Sequence, residues 1–424
     1  MTSAANGRVR TLWLCGILHA FTHLYHFALA PLFLLIQRDL KLASVGKSTL
    51  LVTIMMAAYF LPSYPMGMLA DRVSRKKLLG WGLAINGLGF LGLALAPNYA
   101  MAVVCVMVAG FGGSFFHPAA TAMVARLYPV GTGRALGLLG IGASAGFFLG
   151  PIYTGWRAEL AGWRTPVGEL GALGIIAAIL FAWLAKEEPT VESQPAQRPA
   201  HLERMFPATA RWLLFLAASF ALSLRDFTGS GMGTLSALFL QRAHHLDLKS
   251  TGLALSGIFL MSAISNPIFG GLSDRGRIRW VTLVLVIAAS VVTVLPHLPR
   301  SLLIPAFMIY GFFFMSSYPM VEAELMQAVP DAVRGRVFGS FITVGGLVGN
   351  LSHWLVGRWV SNLSDGANAP GGFYFLYGGL ALLLLFSLLG LPCLHAIRKR
   401  EKLDSVHSLQ TSEPALQAPH SALE

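Results

Sequence analysis

The sequence predicts an all-α polytopic membrane protein with twelve transmembrane helices in two pseudo-symmetric six-helix bundles. Three observations carry this: an apolar composition, apolar runs long enough to cross a bilayer, and an internal duplication. Hydrophobic residues make up 55% of the 424 residues and charged residues only 12%, against about 25% charge in an average soluble domain. The stretches 206–240 and 376–394 each hold about 20 residues nearly free of charge, the length a helix needs to cross roughly 30 Å of hydrocarbon. Barrel strands would be about ten residues long and would alternate strictly. The runs here do neither.

The duplication is read directly from the residues. Gly67-Met-Leu-Ala-Asp71-Arg72-Val-Ser-Arg75-Lys76-Lys77 returns as Gly270-Gly-Leu272-Ser-Asp274-Arg275-Gly-Arg277-Ile-Arg279. Pro129 to Gly133-Arg134-Ala-Leu-Gly137 returns as Pro330 to Gly335-Arg336-Val-Phe-Gly339, and His117-Pro118 as Tyr318-Pro319. All three matches keep their order at offsets of 201 to 203, the mark of a chain built from two related halves.

Taken in order, the apolar runs between charged or Pro/Gly breaks give spans near 11–36, 48–70, 78–96, 99–124, 135–156, 166–185, 211–240, 250–272, 280–296, 301–326, 337–360 and 372–396. The first follows only Arg8 and Arg10 and ends without a small-residue cleavage signature, so it reads as a retained helix. The only long polar interior stretch runs over 186–210. It divides an N-terminal six-helix bundle, 1–185, from a C-terminal one, 211–398. The polar segment 399–424 is expected to be a disordered tail.

Topology follows from the basic residues. With both termini inside, the inner segments carry 21 of the 31 Lys and Arg, the outer loops nine, and Arg225 falls within a span. That asymmetry places both termini in the cytoplasm. The same bias, with contact to anionic lipid, accounts for the net charge of +12 without a nucleic-acid partner. Cys15, Cys105 and Cys393 lie in apolar runs without CxxC spacing, as small buried hydrophobes and not as a disulfide or metal site. No metal or cofactor is expected. The chain has no P-loop, HExxH or GxSxG motif, so neither an enzyme nor an ATP-driven pump is expected.

The repeated loop GMLADRVSRKK resembles the loop 2–3 signature of the major facilitator superfamily, with Ser74 where that pattern usually has Gly. The resemblance covers about residues 10–398 and implies that family's twelve-helix fold, alternating access around a central cavity, and a monomer. It implies a cytoplasmic gate of Gly67, Asp71, Arg72 and Arg75 with Asp274 and Arg275, in which Arg134 and Arg336 are partners for the two acids. The alternative is that these loops only fix topology. In the fifth span Gly137, Gly146, Gly150-Pro151 and Gly155 resemble the antiporter motif of drug:proton exchangers, with Thr154 replacing the first Gly of its final pair. Gly142, Gly146 and Gly150 form a smooth stripe, and ordinary helix packing is the competing reading. Residues 110–118, ending Phe-Phe-His117-Pro118, are similar to a segment of fosmidomycin-resistance-type exporters. Ala119 and Ala120 stand where those exporters have an acid, so no substrate is implied.

Ionisable residues at bilayer depth are costly and default to functional candidates. His19, His23 and His26 share one helix face, and the duplication offset sets His23 opposite Arg225 and Asp226. In this family the first and seventh helices line the central cavity. His23, Arg225 and Asp226 are therefore the expected core of a proton-coupling and substrate site, with His117, Glu322, His19 and Asn350 around it. Pairing of Arg225 with Asp226 as a structural charge is the alternative, although neighbours on a helix point about 100° apart. Glu324 is expected at the membrane interface, pairing with Arg334 or Arg336.

The function expected is proton-coupled export of a small organic compound across a bacterial inner membrane. Proton-driven uptake of a small organic anion is the rival of the same class. A non-transporting scaffold is the rival of another class.

Overall fold

The computed structural model describes residues 3–70, 72–128, 132–186, 205–206, 208–273, 276–329 and 333–411. Seventeen α-helices follow one another: α1 (Ser3–Phe27), α2 (Phe33–Asp39), α3 (Val45–Phe60), α4 (Ser63–Ala70), α5 (Arg75–Leu95), α6 (Tyr99–Gly113), α7 (Phe116–Leu127), α8 (Thr132–Ala161) and α9 (Arg164–Leu184), then α10 (Thr209–Arg242), α11 (Leu248–Leu260), α12 (Ser262–Ser273), α13 (Arg277–Val294), α14 (Arg300–Gln327), α15 (Arg334–Asn362), α16 (Tyr374–Ser387) and α17 (Gly390–Thr411). They build twelve rods, because α1–α2, α3–α4, α6–α7, α11–α12 and α16–α17 are each one span with a break. Among the described residues ten rods are long and apolar enough to cross a membrane. The other two, α10 and α15, have the length but hold buried polar residues, among them Arg225 on α10 and Ser352 and His353 on α15.

Helix starts follow local chemistry. Asn98 Oδ1 accepts the Met101 N–H at 3.0 Å, and Asp247 Oδ1 accepts that of Ser250 at 2.6 Å, each capping an orphan donor. The Ser250 N–H also holds the Asp247 carboxyl below the ordinary carboxylate range. At the other end of the chain α17 runs on to Thr411, so 399–411 is not the unstructured tail the polarity suggested. Arg, Lys, Glu and Leu are strong helix formers and extend a helix that packing has already nucleated. Residues 412–424 and most of the 186–210 segment lie outside the described residues.

The duplication is visible in the packing. α8 lies against α1, and a Cβ on Gly142 or Gly146 would run into the backbone carbonyls of Gly16 or Ala20. α15 lies against α10 in the same way, where Gly345 and Gly349, 203 residues further on, face Asp226. Helices meet this closely only where side chains are missing. Leucine at Gly146 should therefore push α1 and α8 apart and cost about 1–3 kcal/mol or more. Thermal unfolding of the detergent-solubilised protein checks this, and an unchanged midpoint would contradict it.

Two seams related by the same offset join the halves: α3 against α15, and α8 against α11. In the first, Gly46 N–H donates to Ser361 Oγ at 3.2 Å. Thr53 Oγ1 donates to the Asn350 carbonyl at 2.9 Å and accepts the Trp354 N–H at 3.1 Å. In the second, Ser256 Oγ donates to the Phe148 carbonyl at 2.6 Å, and the Lys249 N–H donates to Glu159 at 3.0 Å. Gln241 adds a bond to the Pro31 carbonyl at 2.8 Å. These bonds lie between mid-span and the end opposite the repeated basic loops. Toward the basic-loop end, α4 exposes Tyr64 and Met68 and α12 exposes Ile264, Ile268 and Leu272.

Candidate functional site

Two polar clusters occupy duplication-related positions inside the bundle. The first belongs to the N-terminal half. His19 Nδ1 donates to the Leu139 carbonyl at 2.8 Å, which leaves its Nε2 as a bare lone pair. His23 Nε2 lies 3.0 Å from that atom and so carries the proton between them. His117, brought in by α7, has its ring centre 5.2 Å from that of His19 and 5.5 Å from that of His23. His26 sets its ring edge-on to Tyr59 at 4.8 Å. His19 is buried, His23 half-buried and His117 exposed. Rings from α1 and α3 surround His117, so the space it faces lies between helices.

The second cluster belongs to the C-terminal half. Arg225 Nε and Nη2 both donate to Asp226 Oδ1, at 3.1 and 2.9 Å. The guanidinium lies over the Tyr318 ring, 4.0 Å from its centre, and Nη1 reaches the Ser317 carbonyl at 3.5 Å. Glu322 sits one turn beyond Tyr318 and is half-buried. Among the described residues it makes no hydrogen bond or ion pair, yet the charges of Arg225 and Asp226 act on it.

The expected single site of His23, Arg225 and Asp226 is therefore two sites. The described contacts of His23 are with His19, His26, His117 and Phe147, while Arg225 and Asp226 bond to each other. The offset explains the separation: Asp226 stands 203 positions after His23, and Tyr318 stands 201 after His117. Equivalent helices in the two halves place equivalent polar groups on opposite walls. Past the histidines, toward the end opposite the basic loops, the halves meet in aromatic rings. Phe147 stacks on Phe259 with centres 4.7 Å apart, and Phe27 meets the same ring edge-on at 4.7 Å.

Three expectations change. The Arg225–Asp226 bond forms despite the 100° between neighbours, because the long guanidinium stem curls back to the adjacent carboxylate. Asn350 belongs to the α3–α15 seam. Its carbonyl accepts from Thr53, its Oδ1 lies 3.2 Å from His353 Nε2, and His353 Nδ1 lies 2.6 Å from Thr234 Oγ1. Glu324 is 1% exposed. It pairs with Arg398 at 3.0 Å and Arg277 at 3.4 Å, and not with Arg334 or Arg336. Arg334 instead caps α14, its Nε donating to the Met326 carbonyl at 2.7 Å.

A family model described as the Major Facilitator Superfamily matches residues 12–353. The chain belongs to the Major Facilitator Superfamily. It is 29% identical over 317 residues to the multi-drug resistance efflux pump PmrA of Streptococcus pneumoniae, covering 71% of this chain and 76% of that one. It is 24% identical over 199 residues to the quinolone resistance protein NorA of Staphylococcus aureus, covering 47% and 50%. Among solved structures, a bacterial homologue of the human lysosomal transporter Spinster, inward-facing and unoccupied, superposes with a TM-score of 0.78 at 16% identity, over 92% of this chain and 98% of that one. The nucleoside transporter NupG superposes with a TM-score of 0.72 at 15% identity, over 89% and 99%. These two likenesses establish the fold. Members of the superfamily are transporters of small molecules, so the chain is a multi-pass membrane transporter.

Within a superfamily member, the loop and fifth-span residues take definite places. Gly67 approaches Pro118, where a Cβ would lie 3.6 Å from the proline Cβ. Arg72 and Arg134 are exposed, Arg75 is buried and Arg336 is half-buried. Asp71, Asp274 and Arg275 lie outside the described residues. On α8, Gly146 and Gly150 press on α1, and Gly155 crosses to α11 beside Leu248 and Gly252, which itself meets the Pro151 carbonyl. The stripe thus serves both the bundle and a seam between bundles. Thr154 is accommodated because its hydroxyl donates back to the Gly150 carbonyl at 2.9 Å. Gly137 is not part of the packing, since nothing lies within 4 Å of its Cβ position. Five residues separate it from Gly142, which turns it about 140° away from the stripe. Thr53, Phe147, Phe259, Gly345 and Gly349 were not singled out from the sequence. Adding 203 to Gly142 and Gly146 locates the last two.

Proposed function

We propose that this transporter exports a small organic compound in exchange for protons, and that the Arg225–Asp226–Tyr318–Glu322 cluster couples the two movements. The observation that carries the reading is Glu322, a carboxylate at bilayer depth with no ion-pair partner among the described residues and beside a charge pair. Such a group is costly when ionised away from water, so its proton occupancy follows whether the space around it is wet. The named activities of the efflux relatives support export as the direction. The rival reading, uptake of an organic anion, needs a free cation to hold the anion, and the Arg225 guanidinium is already taken by Asp226.

In this reading the two six-helix halves, 1–185 and 211–398, rock around the space between the clusters. Proton and cargo bias opposite states through differential binding. The protein works as a monomer in a bacterial inner membrane, with both termini and the basic loops cytoplasmic.

The test uses the purified chain reconstituted in liposomes loaded with a pH-sensitive dye. Additions of a fluorescent lipophilic cation, a quinolone and a carboxylate anion should include at least one solute that moves protons against its own flux. Solute and proton entering together would replace export by uptake. No proton movement with any solute that is itself transported would remove the coupling.

A further inference from the structure

We propose that His19, His23 and His117 form a binding site for a divalent transition-metal ion of the zinc class on the N-terminal wall of the inner space. The inference stands apart from the direction and coupling of transport. One ligand atom from each of the three residues lies within 4.8 Å of the other two. A tetrahedral ion with Zn–N bonds of about 2.0–2.1 Å holds its nitrogens about 3.4 Å apart, so at most about 1.5 Å of closure is needed. His117, exposed on its inner face, is the ring free to supply that movement.

The surroundings are those of a ligand set and not of a packed core. His19 Nδ1–H is fixed by the Leu139 carbonyl at 2.8 Å, which aims its Nε2 lone pair at the cluster. Metal-ligating imidazoles nearly always anchor their second N–H in this way. His23 is incompletely satisfied. Its Nδ1 is buried without a hydrogen-bond partner among the described residues, so its tautomer is set only by the 3.0 Å contact with His19 Nε2. On metal binding the His23 proton would pass from Nε2 to Nδ1, freeing a second lone pair with no net proton released. The bordering rings are His26, Tyr59, Phe116 and Phe147, and no carboxylate is among them. Three neutral imidazoles suit Zn, Co, Ni or Cu and not Mg or Ca. Three protein ligands leave a further position for water or a donor atom of a solute, and exposed His117 marks the entry path.

The proposal is tested on the full-length chain without a histidine tag, in detergent, with Zn²⁺ titrated against a chromophoric chelator. About one ion per chain is expected to be held by the histidine cluster. His23→Gln and His117→Gln should each weaken binding by more than about tenfold, at least what losing an outer-shell partner costs. His297→Gln, which alters a ring lying against Tyr374 and outside the cluster, should bind as the parent does. Replacing Zn²⁺ with Co²⁺ should give the strong visible absorption of a four-coordinate site, absent from the first two variants. Because His117 is exposed, His117→Gln remains informative if His23→Gln fails to fold. The proposal is overturned if His117→Gln, eluting as the parent does, binds Zn²⁺ equally well, or if the folded parent binds none. Loss of proton movement with Zn²⁺ binding intact would count against the export reading alone.

Discussion

Asp226→Asn is expected to cost this transporter much of its stability as well as its transport. Arg225 is 2% exposed, and both of its donors to Asp226 converge on one carboxylate oxygen. Without that charge, the guanidinium keeps the face of Tyr318, a carbonyl at 3.5 Å and the unbonded charge of Glu322. Breaking a buried ion pair by removing one partner typically costs about 3–5 kcal/mol, because the remaining charge stays desolvated. The unfolding midpoint in detergent should fall sharply and the yield in the membrane with it. The double replacement Arg225→Gln with Asp226→Asn removes both charges and should recover most of the stability. It should not recover proton-linked transport, since the acid is gone. Midpoint and substrate-evoked proton movement, measured on both variants, separate the two roles. A single variant that melts like the parent would show that the pair is not structural. A double variant that transports normally would show that neither residue is needed for coupling.

Particular residues show how far the sequence carries. The twelve rods and their duplication were legible because membrane spans announce themselves by length and apolarity, and because the offset survives at Asp71 and Asp274. The seams were legible only in part. Gly146 and Gly150 stood out by their spacing, but Gly345 and Gly349 sit in a helix whose other residues are more polar. His117 was expected around the same cavity as His19 and His23, but the direct approach of the three rings was not legible. His117 lies 98 positions from His19, and the break between α6 and α7, which aims its ring inward, has no counterpart in the uninterrupted α14. The offset makes His23 and Asp226 equivalent positions of the two halves. It could not tell that pseudo-symmetry holds such positions on separate walls, each satisfied within its own half. The helix reaching Thr411 was hidden because polarity was read as disorder, although its residues favour helix.

Glu322→Gln should leave the fold intact and remove the proton. Glu322 makes no hydrogen bond or ion pair among the described residues, so an isosteric amide breaks no contact and strands no charge. Its midpoint should therefore stay near that of the parent, unlike that of Asp226→Asn. Glutamine mimics the protonated acid permanently, so an imposed pH gradient no longer discriminates between the two states of the transporter. Gradient-driven flux in liposomes should fall on the order of 5–150-fold, the span of an ordinary coupling free energy of about 1–3 kcal/mol. Exchange of labelled for unlabelled solute across the same membrane, which needs no net proton movement, should persist. That split is what distinguishes a lost coupling group from a damaged binding site, because a damaged site would lose both. Gradient-driven flux equal to that of the parent would remove Glu322 from the mechanism and leave Asp226 as the remaining acid of the cluster.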